Sequence, residues 1–292
     1  MEDLATKVTA PAPPAMAKTM EDGLYAKATK PFLDMFLLAL TGGGFIALGF
    51  IYYVTSQQGM TGVPTGFAKV LGGLTFSVGL VLVIISGSDL FTGTTLTVMP
   101  RLSGRITTAQ MLKHWAVSYF GNLVGSLIVA VLILLAGVYK SNKGAWGLVV
   151  MNVSNAKIHH GWLECIFLGL LANFVVCLAV WMAVSGRNTM DKVIAIMLPI
   201  SLFVGTGFEH SIANMFMLPM GLMIKAFGGD AFWTSDAVKA AGKTVADYDG
   251  LTIGSAIWNN IIPVTIGNII GGAVFVGVYF WVVYRRNNYK NA

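Results

Sequence analysis

The chain has 292 residues, 55% of them hydrophobic and only 11% charged, with a mean hydropathy of +0.72. Such values exclude a soluble globular protein. A net charge of +6 carried between apolar runs, without a basic stripe interleaved with aromatics, also excludes a nucleic-acid surface. The composition is that of an integral membrane protein.

Residues 1–30 carry Pro11, Pro13, Pro14 and scattered lysines but no continuous apolar core, so a cleaved signal peptide is not expected. Met16, Met20 and Leu24 recur at helical spacing, consistent with a short amphipathic helix lying on the membrane surface, with a disordered tail as the alternative. Residues 31–284 form the membrane domain and residues 285–292 a tail, with Arg285 and Arg286 as an interfacial anchor. A crossing needs about 20 apolar residues. On that measure six passages follow one another: Pro31 to Val54, Gly66 to Met99, Thr107 to Val138, His160 to Val184, Lys192 to Ile224 and Ile253 to Tyr284.

The second and fifth passages would stretch roughly 50 Å as straight helices, yet neither is long enough to cross twice. Each is interrupted by glycines and polar residues, at Ser86–Gly93 and at Gly205–Ser211. Non-helical backbone at membrane depth is tolerated only where protein covers it or it lines a cavity, so paired interruptions mark a transport path. Gly121-Asn122-Leu123-Val124-Gly125 in the third passage recurs as Gly267-Asn268-Ile269-Ile270-Gly271 in the sixth. The expected fold is therefore all-α, six spans in an inverted 3+3 repeat with broken second and fifth helices. The GxxxG spacing permits close helix contact, and the two asparagines are expected to bond across helices.

With both termini on one side, twelve Lys and Arg fall near the termini's side and seven on the other, which places the termini in the cytoplasm. Lys7 and Lys290 are among the twelve. The segment Phe227 to Gly254 reads as an outer loop without assignable chemistry. Cys165 and Cys177 sit roughly 18 Å apart on one helix and cannot pair with each other. Neither HExxH nor CxxC occurs, so no metal, cofactor or catalytic residue is expected, and an enzyme is the weakest of the competing readings.

His210 is the one histidine well inside an apolar passage, while His114, His159 and His160 lie near passage ends where water is expected. An ionisable group at that depth is a functional candidate, and its plain alternative is a histidine that holds the break together. A half-helix starting inside the membrane offers unpaired N–H groups and a positive dipole end to a small anion. Asp89, Thr92 and Ser211 are residue types that cap such ends, and Glu209 is expected to anchor the second break. Phe76, Leu80, Leu90, Phe91 and Phe203 are placed to form apolar constrictions.

The stretches Ile84-Ile85-Ser86-Gly87-Ser88-Asp89-Leu90-Phe91-Thr92-Gly93 and Gly207-Phe208-Glu209-His210-Ser211-Ile212-Ala213-Asn214-Met215 resemble the two signatures of the formate/nitrite transporter family. Arg105-Ile106-Thr107, Leu178-Ala179-Val180-Trp181-Met182 and Ile262-Pro263-Val264-Thr265 extend the resemblance over almost the whole chain. It implies a homopentamer of aquaporin-like protomers in the bacterial inner membrane, each with its own pore. It also implies that His210 is the central pore histidine and Thr92 its hydroxyl partner. Leu80, Leu90 and Phe91 match the cytoplasmic-side constriction, and Phe76, Val176 and Phe203 the opposite one. Lys157 and Asn173 match positions that attract and orient the anion. Asp89, Glu209, Gly93 and Asn214 are taken as structural at the breaks. The segment Pro14 to Lys30 matches a helix implicated in gating. The expected function is bidirectional passage of formate, with import at low pH coupled to a proton through His210. Nitrite or hydrosulfide is the alternative within the family, and a passive pore for neutral solutes the alternative outside it.

Overall fold

The computed structural model describes residues 9–289; Lys7 and Lys290 lie outside them. Every regular element among the described residues is helical. In chain order they are α1 Pro13–Ala28, α2 Phe32–Ser56, α3 Thr65–Ser86, α4 Phe91–Thr94, α5 Val98–Leu102, α6 Thr108–Leu135, α7 Ala145–Lys157, α8 Trp162–Ser185, α9 Thr189–Gly205 and α10 Ser211–Phe227. There follow α11 Gly229–Trp233, α12 Asp236–Ala240, α13 Ile253–Ser255, α14 Ile262–Ile269 and α15 Tyr279–Tyr284. The backbone of Ala256–Ile261 and Ile270–Val278, on either side of α14, winds in wider π-type turns. Among the described residues five helices are long and apolar enough to cross a membrane: α2, α3, α6, α8 and the run Val245–Tyr284.

The two longest passages break where glycine permits. Gly87 ends α3 with φ 75°, and its N–H and that of Ser88 return to the carbonyls of Ile84 and Val83. Gly207, at φ 79°, follows α9 in the same way, with the Gly207 and Phe208 N–H groups on Val204 and Phe203. Both are left-handed helix ends that a residue with a Cβ adopts only under strain. The chain restarts at α4 and at α10 after a few extended residues.

Packing is close where small residues allow it. α2 lies on α3 and α6, α8 lies on α9 and α14, and α3 packs on α9. A Cβ at Gly125 would run into the Leu40 carbonyl, and one at Gly271 into that of Leu170. These glycines let α6 sit on α2 and the last helical run sit on α8.

Several features depart from the sequence reading. The apolar face of α1 meets protein instead of a membrane surface: Met16, Met20 and Leu24 are buried in a cluster with Leu96, Met99, Trp181 and Val276. Arg285 is not a free interfacial anchor, since its Nε donates to the buried Glu21 at 2.8 Å. The segment after α10 is ordered and packed, with Phe232, Val238, Tyr248 and Leu251 buried, and the Tyr248 hydroxyl donates to Asn152 at 2.7 Å. α7, which the hydropathy ruler passes over, buries Trp146, Val150, Met151 and Ser154. Both cysteines are free and buried.

Candidate functional site

The two breaks bring their polar residues together. Thr92, in the first turn of α4, and His210, the residue that caps α10, lie with Oγ1 and Nε2 3.0 Å apart, both buried. The backbone N–H of Ala213 donates to His210 Nδ1 at 3.1 Å, so the imidazole itself is the cap of α10. A ring nitrogen that accepts carries no proton, which assigns the proton of the neutral ring to Nε2. Nε2–H then donates to the Thr92 oxygen, leaving the threonine O–H as a second donor.

The capping expected of Asp89 and Ser211 is not what these residues do, while Thr92 meets His210 as the family resemblance implies. Asp89 pairs with Lys27 of α1 at 2.7 Å and faces His114 at 3.4 Å. His114 is fully buried beside it, where the sequence reading expected water. Thr92 spends its side chain on His210, and the Ser211 hydroxyl donates to Asn268 at 2.8 Å. Leu90, which offers no polar side-chain group, stands in the cap position of α4.

Glu209 is buried and held on three sides. Lys157 Nζ lies 2.6 Å from one oxygen, while the amides of Asn214 and Asn260 donate to the other at 2.6 and 3.0 Å. An ion pair this far from water needs such extra donors to offset its desolvation. Asn173 donates to the carbonyls of Asn268 and Thr92 at 2.6 and 3.1 Å, so it ties the first break to α14, and it borders neither cavity.

Two cavities lie near the Thr92–His210 contact: His210 lines one, and Leu90, Gly93 and Thr94, around Thr92, line the other. One, of about 420 Å³, is lined by Phe50, Phe76, Lys69, Lys157, His160, Phe203, Glu209 and His210. Its aromatic wall runs in edge-to-face steps, Phe50 on Phe76 at 5.4 Å and Phe76 on Phe203 at 5.6 Å, with Phe203 5.9 Å from the His210 ring. The other, of about 220 Å³, lies beneath α1 and is lined by Met20, Leu24, Lys27, Leu80, Val83, Leu90 and Gly93. Phe76 and Leu80, one turn apart on α3, thus face different cavities. Phe91 and Val176 border neither; Phe91 packs edge-on against Tyr119 at 4.9 Å. Gly93 has ordinary helical backbone and open space around it, so the glycines the breaks require are Gly87 and Gly207.

Lys27, His114 and Asn260 were missed as partners by sequence reasoning. A signal existed in the spacing, since His114 and Asn260 each precede the asparagine of a GNxxG motif by eight residues. Among the described residues no group of three potential metal ligands occurs.

The geometry is that of a narrow polar neck between two cavities, walled by apolar side chains. Comparison with known proteins places it. The family model described as formate/nitrite transporter matches residues 14–282. The chain is 49% identical over 276 residues to the formate channel FocA of Escherichia coli K12, covering 94% of this chain and 95% of that one. Identity to the formate channel FocA of Haemophilus influenzae is 44% over 255 residues, with 87% and 88% covered. A solved pentameric formate channel with formate bound superposes with a TM-score of 0.81 at 43% identity, covering 87% of this chain and 97% of that one. The chain belongs to the formate/nitrite transporter family.

Proposed function

We propose that this protein is a formate channel of the bacterial inner membrane, in which the Thr92–His210 contact between the two cavities is the point every solute passes. That contact carries the proposal: two polar side chains from opposite breaks meet at 3.0 Å between a cavity lined by His210 and one lined by Leu90 and Gly93. Relatives named as formate channels and a superposable formate-bound structure support formate as the solute. The pentameric solved structure supports a pentamer.

The chain would cross six times in two halves of opposite orientation, the second and fifth crossings being α3 with α4 and α9 with α10. The matched contacts around the breaks support this reading. The lysine count puts the termini and the cavity beneath α1 on the cytoplasmic side, and the cavity lined by Lys157 and His160 outside. Placed so, α1 roofs the inner cavity, consistent with a role in gating.

A charged carboxylate in the hydrocarbon centre costs several kcal/mol, and donors at the neck lower that barrier. The anion would take the Nε2–H bond that Thr92 now accepts and the threonine O–H beside it. Lys157 and Lys69 would draw it into the outer cavity, although Lys157 is already shared with Glu209. Proton-coupled import adds a condition: a second ring proton goes on Nδ1, so the Ala213 N–H must first turn away. Formic acid would then cross the Leu80–Leu90 constriction uncharged.

Labelled formate and nitrite flux into proteoliposomes, from about pH 8 to about pH 5, tests this. Saturable formate uptake that rises with acidity and is lost in His210→Phe is the expected result. Nitrite passing faster than formate at every pH would transfer the proposal to nitrite.

A further inference from the structure

We propose that Asn122 and Asn268 are the positioning residues of the pore, each fixing one pore-facing side chain by tying down the peptide on either side of it. The inference rests on reading the two cavities as one pore, and it assigns to these asparagines a task beyond helix packing.

Asn122 is fully buried on α6. Its Nδ2 donates to the Asp89 carbonyl at 2.8 Å and to the Ala39 carbonyl of α2 at 2.6 Å, and its Oδ1 accepts from the Phe91 N–H at 2.8 Å. Between the Asp89 carbonyl and the Phe91 N–H lies a single residue, Leu90, which lines the inner cavity. Asn268, equally buried, repeats the arrangement. Nδ2 donates to the Glu209 carbonyl at 3.0 Å and to the Gly169 carbonyl of α8 at 2.7 Å, and Oδ1 accepts from the Ser211 N–H at 2.9 Å. The residue enclosed here is His210.

Each break leaves buried peptide groups that no helix satisfies, and one amide with two donors and an acceptor satisfies two of them while anchoring to a neighbouring helix. Both peptide links of the enclosed residue are then fixed, so its side chain leaves the backbone in one direction only. Only asparagine supplies that donor and acceptor set at this length. Aspartate keeps the shape and the acceptor but loses both donors, and leucine keeps the shape alone. A packing role would tolerate leucine. A positioning role would not, and it makes the consequence specific: Asn122 governs Leu90 and the size of what passes, Asn268 governs His210 and the rate of passage. Asn173 couples the two, since it donates to the carbonyls of both Asn268 and Thr92.

The test uses full-length Asn122→Asp and Asn268→Asp, purified and shown by size-exclusion chromatography to assemble as wild type does. Hydrogen–deuterium exchange is read at peptides covering each break. Each variant is expected to speed exchange at its own break about tenfold while the other break stays within about twofold, because the donors that hold the Asp89 or Glu209 carbonyl are lost and the break opens locally. Flux is then measured in liposomes. Asn268→Asp is expected to lower the maximal formate rate about tenfold with the half-saturating concentration within about twofold of wild type. Asn122→Asp is expected to raise lactate flux relative to formate by about fivefold, because Leu90 is released.

Equal acceleration of exchange at both breaks, or unchanged rate and selectivity despite a locally opened break, overturns the proposal. If wild type itself passes no formate, the channel reading fails, whereas the exchange pattern still decides whether the amides are tied. Should the aspartate forms not assemble, Ser211→Pro removes the N–H that Asn268 accepts. Proline suits the first position of α10, and His210 at φ −123°, ψ 114° suits the residue before it. The same loss of rate, with exchange at the first break unchanged, is expected; wild-type rate in that variant overturns the assignment for Asn268.

Discussion

At the first break Leu90 stands where His210 stands at the second, and around both residues the same set of contacts recurs. The N–H of Asp89 donates to the Leu38 carbonyl at 3.1 Å, and the N–H of Glu209 to the Leu168 carbonyl at 3.3 Å. Each acidic side chain is buried and takes a lysine from the helix that precedes its half, Lys27 at 2.7 Å and Lys157 at 2.6 Å. Each has a further partner eight residues before the clamping asparagine, His114 in one half and Asn260 in the other. One scaffold therefore presents an apolar side chain to the inner cavity and an imidazole to the outer one. The supports of a break and the residue it displays are separable: chemistry is set by one side chain, and its placement by the frame.

Exchanging the displayed residue is the strongest way to break the comparison. In His210→Leu the second break displays what the first does, and a carboxylate loses a donor at the neck. A hydrogen bond to a charged group contributes about 1.5–3 kcal/mol, so formate flux is expected to fall about 10- to 150-fold, with wild-type assembly, as measured in proteoliposomes. Flux within about threefold of wild type would mean that His210 serves only as the cap of α10. The lysines sharpen the contrast. The Lys157 side chain is 12% exposed and that of Lys27 31%, so water replaces the ammonium at Asp89 more readily than at Glu209 once the lysine is removed. Lys157→Met is expected to destabilise by about 3–5 kcal/mol, and Lys27→Met by less, in denaturant unfolding of the detergent-solubilised protein. Equal losses would show that α1 is held as firmly as α7. A smaller effect is expected from His114→Asn, which makes the first frame match the second; a change of about 1 kcal/mol or less would show that the position accepts either partner of a buried carboxylate.

The sequence discloses this architecture unevenly, for physical reasons. Passage length and the glycine-rich interruptions reveal both breaks, because a helix too long for the bilayer must fail and Gly87 and Gly207 are where it can do so. The recurrence of GNxxG points to paired helix contacts, and the structure puts both asparagines at the breaks. Hydropathy could not reveal that Met16, Met20 and Leu24 face protein, since an amphipathic face reads alike whether lipid or a helix covers it. Nor could it reveal His114 as buried: a position near a passage end is wet or dry according to what folds over it, and here α1 brings Lys27 to the same carboxylate. Residue type likewise does not identify the caps, although the resemblance does pair Thr92 with His210. Propensity favours Asp, Thr and Ser at helix starts, but at these two starts the cap positions face the cavities, and Leu90 and His210 occupy them.

The smallest expected effect concerns how α1 is held, the one part of the inner frame that water reaches. Lys18, one turn earlier and hydrogen-bonded at 2.6 Å, and then Arg105 at 2.6 Å hold the Asp22 carboxyl below its ordinary value despite some opposing burial. A carboxylate whose folded pKa is depressed contributes stability that is present above its unfolded value, about 3.9, and lost as pH falls through the folded one. Docking of α1 is therefore expected to weaken only below about pH 4, and Asp22→Asn is expected to remove that dependence while leaving Glu21 paired with Arg285. Limited proteolysis near residues 9–12, or exchange of α1 amides, measured from about pH 7 to about pH 3, reads the effect. The outer frame has no counterpart to Asp22: Lys157 meets Glu209 under cover of protein, and α7 should show no such step over the same range. If α7 loosens together with α1, the two frames are coupled through the neck rather than held separately, and Asn173, bonded to Thr92 at the first break and to the carbonyl of Asn268, which clamps the second, is the residue through which that coupling would run.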